Sequence, residues 1–183
     1  MADITNAFAS PGNLFTGTLR TIVFDNAAPG LQLDFLYQVR NTTVQGNNPP
    51  EFIDRISIFG FSSITLPSLP NVDFVQVGSP TFNGGTTPSI SADRSLDGNR
   101  ISFDFQLLPG LFNGETSRWL YVQTNATSFG ASTANIIGAG VASVGTLAPA
   151  PAATVPEPLS PFFGALVLMC TVAAGSFFGR TRQ

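Results

Sequence analysis

The sequence predicts an all-β protein, an antiparallel β-sandwich of the jelly-roll or immunoglobulin-like kind with about eight strands, followed by a linker and one C-terminal transmembrane helix. Two observations indicate the sandwich: short apolar stretches recur between turn residues, and no long amphipathic helical pattern separates them. A third is the phenylalanine content, since 13 of the 17 phenylalanines precede residue 150 and can fill a core between two sheets.

Strand patterns recur along residues 14–146. The clearest lies at 31–40, where apolar residues at odd positions alternate with polar ones and Leu36 is the one mismatch. It indicates a half-buried strand that forms a hairpin or adjacent pair with the strand before it. Other patterns predict a long strand at 14–25 and further strands at 52–61, 72–77, 101–107, 118–124 and 136–146. We also predict a short piece at 64–66 and an irregular start at 1–12. The strands define a domain at 1–146, and the Ala/Pro-rich residues 147–154 are predicted to be a stiff, extended linker.

Composition excludes several classes of function. Charged residues make up 10% of the chain, and all eight basic residues are arginine. Residues 1–150 hold six arginines and ten acidic residues, a formal charge of −4, which argues against nucleic-acid binding. Without histidine or lysine, most acid–base and nucleophilic mechanisms lack their usual base, and zinc lacks ligands because the only cysteine is Cys170. We therefore predict a protein that is not an enzyme and needs no cofactor.

One aromatic pair is a candidate binding surface. Trp119 and Tyr121 alternate with Leu120 along a predicted strand and therefore share a face. Two rings on an open face could stack on sugar rings, whereas the other interpretation is that both pack in the core.

We predict no metal site. The nearest approach to one is a weak calcium candidate, Asp93, Asp97 and Asn99, whose side chains carry oxygen ligands around a glycine. The spacing is not that of an EF-hand, and the pair Asp97-Gly98 indicates a turn.

Paired carboxylates are the remaining catalytic alternative. Glycoside hydrolysis could use Glu51 or Glu115 together with an aspartate such as Asp54 or Asp104. The sequence gives no sign that these residues converge, and solvated carboxylates at strand ends are the favoured interpretation.

The last 29 residues, 155–183, have three parts in order. The stretch Val155-Pro156-Glu157-Pro158 is followed by the uncharged run Phe162–Gly179 and then by an end that contains Arg180 and Arg182. The run is 18 residues long, or about 27 Å as a helix, close to the ~30 Å hydrocarbon core of a bilayer. We predict a transmembrane helix at about 161–179, and the positive-inside rule places its arginine end in the cytoplasm and residues 1–146 outside.

This tail resembles the PEP-CTERM sorting signal of Gram-negative and related bacteria. The resemblance covers residues 155–183, and the residues upstream loosely resemble the secreted β-rich cargo that many such proteins carry. It implies export, recognition by an exosortase and cleavage near Pro156-Glu157-Pro158, so the membrane contact would be transient and the mature protein would lie at the cell surface or outside the cell.

The family pattern also includes an N-terminal signal peptide, and residues 1–10 do not show one. A start upstream of Met1, or a signal already removed, fits the predicted topology; a tail-anchored cytoplasmic domain is the alternative. The leading hypothesis is a non-enzymatic protein of the cell surface or exopolysaccharide matrix. A carbohydrate-binding module of the same fold is the second, and a glycoside-active enzyme the third.

Overall fold

Two antiparallel sheets make up the computed structural model, which describes residues 1–26, 32–43, 52–64, 84–105 and 110–150. The strands in chain order are β1 Ala2–Ala9, β2 Thr16–Asn26, β3 Gln32–Asn41, β4 Ile53–Phe59, β5 Ser91–Arg94, β6 Arg100–Asp104, β7 Leu120–Ala126, β8 Phe129–Gly138 and β9 Val141–Pro149. A 3-10 turn, Pro11–Asn13, joins β1 to β2. The all-β prediction is confirmed.

The four-stranded sheet has the order β1-β2-β3-β7, and the five-stranded sheet has the order β5-β6-β4-β8-β9. The predicted pairing of residues 14–25 with 31–40 is confirmed by the β2–β3 ladder, which runs from Gly17↔Asn41 to Asn26↔Gln32. A hairpin turn at Leu96–Gly98 joins β5 to β6, as the Asp97-Gly98 pair predicts.

The core lies between the inner faces of the sheets. Six of the eleven phenylalanines in the described residues are buried, and β-branched aliphatic residues of β4, β6 and β8 supply much of the rest. Ile56 and Ile58 on β4 and Ile136 on β8 have no exposed surface, because these interior strands lie in the core cluster together with residues of the other sheet. The core is therefore built from phenylalanine and isoleucine together.

Three predictions about element boundaries are wrong. Residues 1–12 are not irregular, since β1 pairs with β2 along its whole length and buries Phe8. The predicted strand at 136–146 is instead the end of β8, a tight turn in which Gly138 donates its N–H to the carbonyl of Gly140 at 2.9 Å, and the start of β9. No side chain fits at Gly138, because its Cβ would lie 2.2 Å from the carbonyl oxygen of Phe52.

The end of the domain also lies later than predicted. Strand β9 continues to Pro149, which pairs with Phe129, so residues 147–149 belong to the sheet and not to the linker. The rest of the predicted linker, the predicted strand at 72–77 and the tail at 155–183 lie outside the described residues. Within the part of the chain that the structure describes, no helix is long and apolar enough to span a bilayer.

Two hydrogen bonds join the sheets, one of them buried and the other partly buried. The hydroxyls of Thr21 on β2 and Thr146 on β9 lie 2.6 Å apart, and both residues are buried. Tyr37 on β3 is fully buried and donates its hydroxyl to the carbonyl of Leu147 at 2.8 Å. Each bond satisfies polar groups that would otherwise be buried without partners, so it fixes the position of β9 over the four-stranded sheet.

The threonine pair gives a test of this inter-sheet contact. Thr21→Val leaves the Thr146 hydroxyl buried without its partner and is expected to lower the free energy of unfolding by about 1–2 kcal/mol. The double variant Thr21→Val/Thr146→Val removes both hydroxyls and should regain most of that loss, because no polar group is left unpaired. Urea denaturation at constant m-value measures both effects. A double variant that loses the sum of the two single losses would contradict the pairing.

Candidate functional site

A groove of about 290 Å³ lies on the outer face of the four-stranded sheet. Its floor is set by strand register, because β1–β2 pairing places Thr5 opposite Arg20 and β2–β3 pairing places Arg20 opposite Gln38. The next outward positions along β2 and β3 are Thr18 and Arg40, which are paired with each other. Three strands therefore present five polar side chains on one surface.

One wall of the groove is the backbone of Gly84 and Gly85, with Thr116 beside it. This segment lies directly against β3: the side-chain amide of Gln38 donates to the carbonyls of Gly84 at 2.9 Å and Ser117 at 3.1 Å. Gly85 has φ +90°, and a Cβ there would lie 1.8 Å from the carbonyl oxygen of Ser117. Only glycine permits this approach, so the wall and the orientation of Gln38 are fixed together.

The two arginines of the groove differ in their partners. Arg20 makes a bidentate ion pair with Asp3, with Nε–Oδ1 at 3.0 Å and Nη2–Oδ2 at 2.6 Å. The hydrogen bond from Arg20 holds the pKa of Asp3 below its ordinary value. Arg40 is exposed and has no carboxylate within ion-pair distance among the described residues. Among the described residues no acidic side chain lines the groove, and Arg40 adds a positive charge to it.

The predicted aromatic pair lies on the same outer face but not in the groove lining. Trp119 is 6% exposed, and the guanidinium of Arg20 lies over its ring, 5.6 Å from the centroid. Tyr121 stacks on Phe24 with centroids 6.3 Å apart and donates its hydroxyl to the carboxylate of Asp34. Burial and the hydrogen bond to that carboxylate raise the pKa of Tyr121. Protein groups thus contact both rings, and the pair does not form an open stacking platform.

The groups of the weak calcium candidate are engaged by other protein groups. Asp93 lies 3.5 Å from Arg55 and 3.4 Å from Arg100. Asp97 accepts hydrogen bonds from the hydroxyl of Ser95 and the backbone N–H of Asn99, and the Asn99 side chain accepts one from the backbone of Gly60. Each oxygen group therefore has a protein partner, and in the described residues no three acidic, histidine or cysteine side chains cluster as a metal site would require.

The structure describes three of the four carboxylates considered for hydrolysis. Glu115 accepts from the backbone N–H of Phe112 at 2.9 Å and from the hydroxyl of Thr87 at 3.0 Å, which fixes a turn. Glu51 lies outside the described residues. Asp54 and Asp104 lie close together, at paired strands of the five-stranded sheet, away from the groove.

These two aspartates have different surroundings. Asp104 accepts two hydrogen bonds from Arg55, at 2.5 and 2.9 Å, and one from the hydroxyl of Ser91, and the arginine lowers its pKa. Burial and the neighbouring Asp104 carboxylate raise the pKa of Asp54, one of whose oxygens is buried with no hydrogen-bond partner among the described residues. Asp54 is therefore a group whose ionisation opposes folding.

No family model, curated protein or solved structure matches the chain. The geometry of the groove and the sequence of the tail are therefore the basis for assigning a function.

Sequence reasoning did not select the groove residues Thr5, Thr18, Arg20, Gln38 or Arg40. The signal was the alternation itself, which marks even positions of β2 and β3 as one outward face.

Trp119 is the only tryptophan, so its fluorescence reports on the arginine that covers it. Arg20→Ala removes the covering guanidinium and is expected to increase acrylamide quenching of Trp119 about twofold or more, because the ring becomes accessible. Asp3→Asn breaks the ion pair but leaves the arginine stem in place, so it should change quenching much less. Equal quenching in wild type and Arg20→Ala would contradict this placement.

Asp54→Asn tests the acidic pair on the other sheet. The folded-state pKa of Asp54 is raised, so ionisation of Asp54 lowers the stability of the fold. This loss of stability is absent below the unfolded-state pKa near 3.8 and develops as the pH rises to the folded-state pKa and above it. The variant should therefore melt about 1–3 °C higher than wild type at pH 7 and at the same temperature near pH 3.

Asp104→Asn is the matched control. Its carboxylate has a lowered pKa, so the stability it contributes is present above the unfolded-state value and is lost as the pH falls through the folded-state value. This variant should melt lower than wild type at pH 7, and the difference should shrink in acid. A lower melting temperature for Asp54→Asn at pH 7 would refute the assignment.

Proposed function

We propose that this chain is a non-enzymatic, exported protein that works at the cell surface or in the exopolysaccharide matrix. Its C-terminal span holds it in the membrane until an exosortase-like enzyme cleaves the tail near Pro156-Glu157-Pro158. The observation that carries the proposal is the order of the tail: Pro-Glu-Pro, one uncharged run of 18 residues, and an arginine-containing end.

The described domain supports a binding or structural role over a catalytic one. Asp3 and Asp104 are paired with arginines, and Glu115 accepts a hydrogen bond from the backbone N–H of Phe112. A general acid and a general base act from two sides of the bond that breaks, and no carboxylate is among the described residues that line the groove. A jelly-roll or immunoglobulin-like sandwich is the topology we propose for the domain as a whole.

A carbohydrate-binding module of the same fold is the second candidate, and the groove favours it. Threonine hydroxyls, an oriented glutamine amide and two arginines surround a surface that is open to solvent along β1 and β3. These groups match the hydroxyl-rich surface of a polysaccharide. This role is compatible with sorting, because the tail would determine where the protein is located and the domain would determine which ligand it binds.

Intact-mass analysis of the native extracellular protein tests the sorting proposal. In a Gram-negative host that carries an exosortase, the secreted product should lack the residues beyond the Pro-Glu-Pro segment. Replacing Pro156, Glu157 and Pro158 by alanine should leave the tail attached and the protein in the membrane fraction.

Pro151→Ala is the matched control, because it changes a nearby proline of the Ala/Pro-rich segment and should leave processing intact. The proposal fails if the native protein keeps Arg180 and Arg182 and stays in the cytoplasm. It also fails if the alanine-substituted tail is removed as efficiently as the native one.

A further inference from the structure

Arg40 is an exposed cation in a domain whose formal charge is negative. Residues 1–150 carry a formal charge of −4, yet Arg40 is exposed and has no carboxylate partner among the described residues. The other groove arginine, Arg20, is paired with Asp3 and lies over Trp119. A ligand with one negative charge would therefore find its strongest partner at Arg40, whose planar guanidinium presents a fork that matches a carboxylate.

The groups around Arg40 are suited to hydroxyls. The side chains of Thr5, Thr18 and Thr116 line the groove, and within the described residues their hydroxyls make no hydrogen bond to protein. The amide nitrogen of Gln38 is committed to Gly84 and Ser117, so its carbonyl oxygen remains as an acceptor in a fixed position. Donors and acceptors thus flank a single cationic anchor.

The size and openness of the groove fit part of a polymer. A volume of about 290 Å³ lies at the lower end of the range for small-molecule sites. Thr5, Arg40 and Gly84 line the groove and are exposed, so the groove is open to solvent. One polymer unit would be held while its neighbours stay in solvent.

We infer that this groove binds an acidic polysaccharide, with the carboxylate of one uronic-acid unit on Arg40 and its hydroxyls on the threonines and Gln38. Nucleic acid and polyphosphate fit less well, because they need several cations in a row, and among the described residues the groove offers one arginine without a carboxylate partner. The inference rests on the proposed function only for the source of the polymer, since a matrix protein meets exopolysaccharide.

Calorimetric titration of the full-length chain in mild detergent tests the inference. The probes are oligogalacturonate, oligoalginate and hyaluronate oligomers, each compared with its methyl-esterified form, which has the same sugar ring but no charge. At least one acid oligomer should bind, and its ester should bind about tenfold or more weakly, because the charge-assisted hydrogen bonds are lost.

Variants of Arg40 locate the binding. Arg40→Gln should lower the affinity for the acid oligomer about tenfold and the affinity for the ester little. Arg40→Lys should lower the affinity for the acid less than Arg40→Gln does, because lysine keeps the charge but cannot make the bidentate hydrogen bond. Arg100→Gln on the five-stranded sheet removes the same charge from a position outside the groove and should bind as wild type does. Melting temperatures of all variants exclude loss of fold.

The inference is overturned if none of the three acid oligomers binds, or if an ester binds as tightly as its acid. It is equally overturned if Arg100→Gln lowers the affinity for the acid oligomer as much as Arg40→Gln does. Displacement of the acid oligomer by single-stranded DNA at equal concentration would overturn it too, since either result indicates nonspecific charge attraction. Failure of this proposal leaves tail processing intact, and failure of sorting leaves binding by the purified chain intact, so the two proposals are tested separately.

Discussion

The packing of two sheets against each other is the interaction on which the rest of the structure depends. Inward residues such as Val23, Phe35 and Ile56 lose all contact with solvent, and burial of each large side chain contributes roughly 1.5–3 kcal/mol before entropy is subtracted. Because strand side chains alternate, every residue committed to the core commits its neighbours to the outer face. The groove on β1, β2 and β3 is thus a consequence of core packing. The β2–β3 register that buries Leu19 and Val39 also turns Arg20 and Arg40 outward.

How much of the fold the sequence predicts depends on how strongly each strand alternates. Strand β3 is recognisable because large apolar residues stand opposite polar ones, and even its mismatch has a cause: Leu36 is buried on the outer face, paired with Tyr121 on β7. Strand β1 has one large buried residue, Phe8, among small and polar neighbours, so its pattern is too faint to predict. The β8–β9 turn cannot be located from the sequence, because the apolar pattern continues through Gly138 and Gly140 without a break. Tertiary contacts, such as that of Gly138 with the Phe52 backbone, decide where the chain reverses.

The candidate site is less predictable than the fold because it depends on register between distant residues. Thr5, Arg20 and Gln38 become neighbours only when β1, β2 and β3 pair in one particular alignment, and a shift of one residue would turn the whole row inward. Sequence reasoning favoured Trp119 and Tyr121 because aromatic residues are conspicuous. It could not foresee that Arg20 would lie over Trp119 or that Asp34 would accept the hydroxyl of Tyr121.

Because the protein has few charged residues, it matters for ligand binding that Arg20 is paired with Asp3 and that Arg40 has no carboxylate partner among the described residues. In a protein with many lysines, one exposed cation would add little to a general positive surface, and salt would screen it. Here the guanidinium of Arg20 is held by Asp3, and Gln38 is held by two backbone carbonyls, so the surroundings of Arg40 are already ordered before any ligand arrives. A preordered site loses less side-chain entropy on binding than a flexible one. Selectivity for a carboxylate can then arise from a single arginine, because hydroxyl partners on either side constrain how the ligand approaches it.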